Sequence, residues 1–219
     1  MADHFPTGAR ALRDPQVRAA KMRRLDDPRM VTLNDLVRRW RQQDAARHIP
    51  WFDPDGGDTR ARVLVLMEAP GPRTVQDGDA GFCSEDNDDA TAATLHELRH
   101  RSSLPRDAYV RWNIVPWAVY APDGHWRAPT DQDLLHAEPA LGDLLAALPQ
   151  LRLVICMGAK ALTGFMRHIT LTDNLTLPVV LGVPHPSQRN TRARTEALTR
   201  IENALRVGAA VALERNDLP

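Results

Sequence analysis

The sequence is short of cysteine, of net charge and of long apolar runs, and each shortage removes a class of protein. Only Cys83 and Cys156 occur, far apart and without a Cys-x-x-Cys spacing. That excludes a zinc ribbon and an all-cysteine iron–sulfur site held by one chain, and leaves a buried, reduced pair as the expectation. Basic and acidic residues number 28 each, so the basic excess of many nucleic-acid binders is missing and any such contact must come from a local patch. No segment approaches the roughly 18 apolar residues of a membrane span, and residues 1–20 lack the apolar stretch of a signal peptide. A cytoplasmic protein without membrane contact is expected.

What is present suits one domain. The 219 residues are 43% hydrophobic, enough for a sizeable core but short for two, and a monomer is expected. Residues 1–30 carry Arg10, Arg13, Arg18, Lys21, Arg23, Arg24 and Arg29 among Pro and Asp, the composition of a mobile or loosely docked arm. Residues 31–48 suit a helix capped by Asn34, with Leu36, Val37, Trp40 and Ala45 as a partial apolar face. Ile49-Pro50-Trp51-Phe52 and Asp53-Pro54-Asp55-Gly56-Gly57 then make a turn-rich connection.

From Ala61 onward, short apolar runs alternate with helical stretches. The runs are Val63 to Met67, Tyr109 to Val115, Leu151 to Met157 and Leu177 to Val183. Between them lie Ala90 to Arg101, Asp131 to Leu148 and Ala159 to Ile169, with Ala193 to Leu213 as a last helix. Continuous apolar strands joined by helices predict a parallel sheet covered on both faces, hence an α/β protein with a three-layer α/β/α sandwich around four parallel strands. Residues 61–219 form that domain, and residues 1–60 are expected to pack on it within a single globular unit.

Ligand chemistry in such a sheet gathers at the carboxyl ends of the strands. The first run ends in Met67-Glu68-Ala69-Pro70-Gly71-Pro72, where a carboxylate at a strand mouth could orient a water or stabilise a cation, or simply be solvated on a turn. The fourth ends in Val183-Pro184-His185-Pro186-Ser187. A histidine between two prolines has a fixed ring direction, suited to donating to a developing anion or to capping a turn. Asn113, within Arg111-Trp112-Asn113-Ile114, is a polar amide in an apolar run; it either tethers a loop or reads a ligand through donor and acceptor together. Phe82, in Gly81-Phe82-Cys83-Ser84, is an aromatic that stacks on a base or fills the core.

In this order the four motifs resemble the uracil-DNA glycosylase superfamily over roughly residues 61–210, nearest to the branch with Gly-Glu-Ala-Pro-Gly and His-Pro-Ser. The resemblance implies an enzyme that acts on DNA, flips out a nucleotide and hydrolyses its N-glycosidic bond with no metal or cofactor. Glu68 takes the catalytic acidic position, while Ala69 stands where the best-known members have a water-activating Asp. Phe82 matches the base-stacking aromatic, Asn113 the amide that reads the pyrimidine edge, and His185 the group that stabilises the departing base. Ser187 matches a phosphate-gripping residue; Gln188 or Arg189 would be the wedge, and Arg189, Arg192 and Arg194 a phosphate patch.

Four departures from the family pattern stand out. Met67 replaces the first Gly of the motif, and the iron–sulfur cysteines of some members are absent. Ser84-Glu85-Asp86-Asn87-Asp88-Asp89 is unusually acidic for a loop near DNA; it either selects substrate or caps the next helix. Gly71 occupies the position where strict uracil enzymes carry a Tyr that excludes groups on carbon 5. Uracil is the leading substrate. A 5-modified pyrimidine, including a bulky 5-modified cytosine in foreign or phage DNA, and a non-catalytic DNA-binding module on the same fold are the alternatives.

Overall fold

The computed structural model describes residues 7–45, 47–173, 177–187 and 193–214. In chain order its elements are α1 (Pro15–Met22), α2 (Val31–Gln43), β1 (Trp51–Phe52), β2 (Val63–Met67), α3 (Pro72–Gln76), β3 (Phe82–Cys83) and α4 (Ala90–Arg101). There follow β4 (Tyr109–Asn113), α5 (Asp131–Ala146), β5 (Leu153–Met157), α6 (Ala159–Leu171), β6 (Val179–Val183) and α7 (Arg194–Leu213). No helix among the described residues is long and apolar enough to cross a membrane.

The four apolar runs form one sheet in the order β4-β2-β5-β6, with every pairing parallel. Pleating sends alternate residues to opposite faces. Val63, Val65, Met67, Leu153 and Ile155 pack against Leu95 and Leu98 of α4 and Ile201 and Leu205 of α7. Leu64, Leu66, Trp112, Val154 and Cys156 face the other way, toward Val37 of α2, Leu141 and Leu144 of α5 and Phe165 of α6. Two covered faces are why the central strands β2 and β5 read as continuous apolar runs, and each Leu or Val so enclosed contributes about 1.5–3 kcal/mol. The expected α/β/α sandwich is the observed fold.

Strand limits differ slightly from the runs. Ile114 and Val115 leave the ladder, but their N–H groups donate to Met67 O at 2.8 Å and Glu68 O at 3.1 Å, keeping the end of β4 laced to that of β2. The chain leaves β2 for α4 on one face and β5 for α6 on the other. Connections that diverge from adjacent strands make the switch point where such sheets place their ligand crevice, and here that switch point lies between β2 and β5.

The N-terminal segment is not a loose arm. Leu12, Val17, Leu25 and Met30 are buried, and Lys21 is only 3% exposed. Its Nζ sits 2.5 Å from Asp53, 2.8 Å from Asp55 and 2.9 Å from Asp86. Arg106 closes the cluster at 2.6 Å from Asp53 and 2.7 Å from Asp86. The acidic loop after β3 is thus a buried partner for basic residues, with Glu85 held by Arg99 at 2.8 Å and by the Tyr109 hydroxyl at 2.9 Å. Only its end acts as a cap: Asp89 accepts from Ala92 N at the start of α4.

Asn34 does not cap α2. It lies inside the helix, fully buried, donating to Leu25 O at 3.1 Å and accepting from Phe52 N at 3.2 Å. A buried amide that satisfies two backbone groups ties the N-terminal segment to β1. The helix ends at Gln43 rather than residue 48.

Candidate active site

Glu68 follows β2 directly, at the crevice. Its Oε1 accepts from Lys160 N at 3.2 Å, the second residue of α6, so the carboxylate stands at the positive end of that helix. Gly158 makes the approach possible. Its φ is +105°, a region that side chains rarely adopt, and a Cβ there would lie 2.8 Å from Glu68 Cδ. Sequence reasoning found Glu68 but missed Gly158; the available signal was a glycine at the junction of an apolar strand and a helix. Gly158 N also donates to Val183 O at 2.9 Å, which joins the ends of β5 and β6.

His185 stands just beyond β6 and is partly buried. Its Nδ1 accepts from Ser187 N at 3.2 Å. A backbone N–H can only donate, so Nδ1 carries the lone pair and Nε2 the proton. Burial pushes the imidazole below its ordinary pKa; Glu68 and Asp89 pull upward and Arg111 downward without reversing it. The result is a neutral ring presenting one N–H donor within electrostatic reach of Glu68.

Asn113 is level with Met67 in the sheet register and is 5% exposed. Among the described residues its amide has one side-chain partner, Cys83 Sγ at 3.6 Å. Sulfur is a weak acceptor, so most of the hydrogen-bonding capacity is uncommitted. The Cys83 thiol is pushed up to about 11 by burial, with Asp53 adding to the effect and Arg111 opposing it. It is therefore a thiol rather than a nucleophilic thiolate.

Phe82 differs from the expectation of a base-stacking ring. Its pairing with Trp51 draws it into the apolar layer at 1% exposure, so no ring face is open. Cys83 is the residue of that segment that reaches Asn113. Ala69 is partly buried against the same layer.

Gly71 is positioned by Trp126, whose Nε1 donates to the neighbouring Pro70 O at 3.0 Å. Its φ of −79° and ψ of 168° suit any residue, and nothing lies within 4 Å of where a Cβ would be. The absent side chain is therefore not demanded by the turn. Ser187 lies beside His185, and Arg194 begins α7. Gln188, Arg189 and Arg192 fall outside the described residues.

Glu85, Asp86 and His96 bring potential metal ligands within 4.8 Å of one another. Lys21, Arg99 and Arg106 already neutralise those carboxylates, so the donor set fits an ion-pair network and not a cation site.

A carboxylate, an amide and an imidazole thus stand at the carboxyl edge of the parallel sheet of an α/β protein. A sequence model of the Uracil DNA glycosylase superfamily matches residues 54–206, more than half of the chain. The chain belongs to the uracil-DNA glycosylase superfamily. Among solved structures it is similar to the crystal structure of wild-type Pedobacter heparinus SMUG2, with a TM-score of 0.51 and 10% identity over 82% of this chain and 83% of that one. At that identity the likeness speaks for the fold. Comparison with curated proteins returns no match.

Proposed function

We propose that this protein is a DNA glycosylase that takes an extrahelical pyrimidine into the crevice and hydrolyses its N-glycosidic bond, leaving an abasic site. The observation that carries this reading is the His185 tautomer. Base loss leaves negative charge on a carbonyl oxygen, and a preorganised N–H aimed at developing charge acts more strongly in the transition state than in the ground state. Glu68 supplies the opposite charge for the cationic sugar. Its Oε1 is engaged by Lys160 N, leaving Oε2 to orient the attacking water.

Asn113 reads the pyrimidine edge through its amide, and Ser187 with Arg194 and the neighbouring Gln188, Arg189 and Arg192 grips the backbone. Stacking on Phe82 requires its buried ring to be uncovered when DNA binds. Flipping costs a few kcal/mol, offset by these contacts. Uracil is the leading substrate. The unobstructed, unstrained backbone at Gly71 favours a second reading, in which the crevice admits a pyrimidine bearing a group on carbon 5, cytosine derivatives included.

The test is to incubate the protein with oligonucleotides carrying uracil and a panel of 5-modified pyrimidines and to look for alkali-labile sites. Cleavage by the wild type that disappears in Glu68→Gln supports the glycosylase. DNA binding without any abasic site would instead make the protein a non-catalytic DNA-binding module.

A further inference from the structure

Four arginines without a role so far gather beside α3, which opens directly after Gly71. Arg73 is two residues from Gly71, so their Cα atoms lie within about 7 Å of each other. Alongside α3, the N-terminal segment and the loop before α4 enclose a surface cavity of about 230 Å³, lined among others by Arg13, Arg18, Arg73, Asp77, Asn87 and Asp88. Its floor is built. Asn87 is buried, and its Nδ2 donates to Thr74 Oγ1 of α3 at 2.9 Å and to Phe82 O at 3.0 Å, which holds α3 and the loop as one wall.

The rim carries more positive charge than the cavity neutralises. Asp88 is shared by Arg10 and Arg73, each at 3.0 Å, and Asp77 stands 3.6 Å from Arg18. The Arg13 guanidinium is exposed and has no ion pair or hydrogen bond among the described residues. Arg10 and Arg73 are 48% and 55% exposed, so their hold on Asp88 is weak and open to exchange. Another arginine group behaves differently. Asp58 holds both Arg29 at 3.1 Å and Arg60 at 2.7 Å, and Arg62 stands by Glu214. Arg60 and Arg62 precede β2 and so lie at the opposite end of the sheet from Glu68.

An exposed guanidinium surplus suits phosphodiesters, since each guanidinium fork matches two phosphate oxygens. A chain whose basic and acidic residues balance must concentrate positive charge locally to hold DNA. We propose that Arg13 and Arg73 form a DNA-backbone site, in which phosphates flanking the nucleotide in the crevice enter this cavity. Arg10 and Arg18 hold the two carboxylates aside, and the N-terminal segment becomes part of the DNA interface. The inference rests on the glycosylase reading for its ligand.

The test measures fluorescence anisotropy of the full chain across a salt series, with an unmodified duplex and with one carrying a tetrahydrofuran abasic analogue. Arg13→Ala and Arg73→Ala should each weaken both duplexes by the same factor and flatten the slope of log affinity against log salt by about 0.9, the double variant by about 1.8. Arg60→Ala, at the amino edge, should change neither. In single-turnover base release, the double variant should need more protein for half-saturation and reach the wild-type rate at saturation. Arg13→Ala should melt with wild type, because its guanidinium has no partner to lose. Neutral methylphosphonates placed singly beside the target nucleotide then locate the contact: one position should weaken wild type but not Arg13→Ala.

An unchanged salt slope in the double variant, an equal fall in Arg60→Ala, or no such methylphosphonate position would overturn the site while the glycosylase stands. If wild type releases no base yet binds DNA with a slope that depends on Arg13 and Arg73, the glycosylase reading fails and the DNA site stays. Absence of DNA binding by wild type removes both.

Discussion

Two regions of this molecule bury charge, and they treat it in opposite ways. In the cluster of Lys21, Asp53, Asp86 and Arg106 every ionic group has a partner within 3 Å. Burial alone would lower the Lys21 pKa, yet Asp53, Asp86 and Asp55 hold it above its ordinary value against Arg106. Burial would raise Asp53, yet Lys21 and Arg106 hold it far below the carboxylate range. Beyond the cluster, Arg111 has two buried donors without a partner among the described residues, and burial pushes His185 below its ordinary pKa. Mutually satisfied charge fastens the N-terminal segment to the core.

The largest expected effect is on the fastened side. Lys21→Met leaves Asp53, Asp55 and Asp86 without their shared cation, and removing one member of a buried ion network costs about 3–5 kcal/mol. Denaturant unfolding should show that loss, with base release per folded molecule unchanged; a fall in specific activity would break the separation of the two regions. Acid sharpens the same point. Asp53, Asp55 and Glu85 all have folded pKa values below their unfolded ones. Their stabilisation is present above the unfolded carboxylate pKa, about 4, and is lost as pH falls toward the folded values. The stability of Lys21→Met should fall less steeply over that acid window than that of wild type.

On the crevice side, His185→Ala should lower base release by about 10²–10³-fold, equivalent to about 3–4 kcal/mol, while DNA affinity and melting temperature barely move. Because the folded His185 pKa is lowered, the neutral donor persists below the ordinary value near 6.5, so wild-type activity should hold as pH falls through that value. An acid limb centred at 6.5 or above in the pH–rate profile would contradict this.

Gly158→Ala touches both sides of the comparison. A positive φ forced on alanine costs about 1–3 kcal/mol, and the added Cβ displaces the Glu68 carboxylate. Melting temperature and base release should fall together. Intact activity with only lower stability would mean that the Glu68 position at the α6 terminus is immaterial to the chemistry.

The smallest effect on stability is expected at Gly71. Gly71→Ala and Gly71→Tyr should both leave unfolding within about 0.5 kcal/mol of wild type, since the backbone suits any side chain and the space is open. Gly71→Tyr should selectively remove activity on 5-substituted pyrimidines and spare uracil. Uniform loss in both variants would refute the role of Gly71 in substrate choice.

By itself the sequence determined the layered architecture and the order of the site. A parallel strand covered on both faces is apolar throughout, so β2 and β5 announce themselves within five residues each, while the edge strand β6 is apolar with Val179 exposed. Glu68, Asn113 and His185 were legible because they interrupt or terminate those runs. Tertiary structure alone decided what depends on partners distant in the chain. Lys21 meets Asp53 across 32 residues and Glu68 meets Lys160 N across 92, pairings that no local periodicity encodes. The same distance hid the enclosure of Phe82, the two backbone ties of Asn34 and the need for glycine at 158. Arg13 looked like one more basic residue among 28; only packing could show that its neighbours' carboxylates are already engaged, because charge compensation is settled in space and not along the chain.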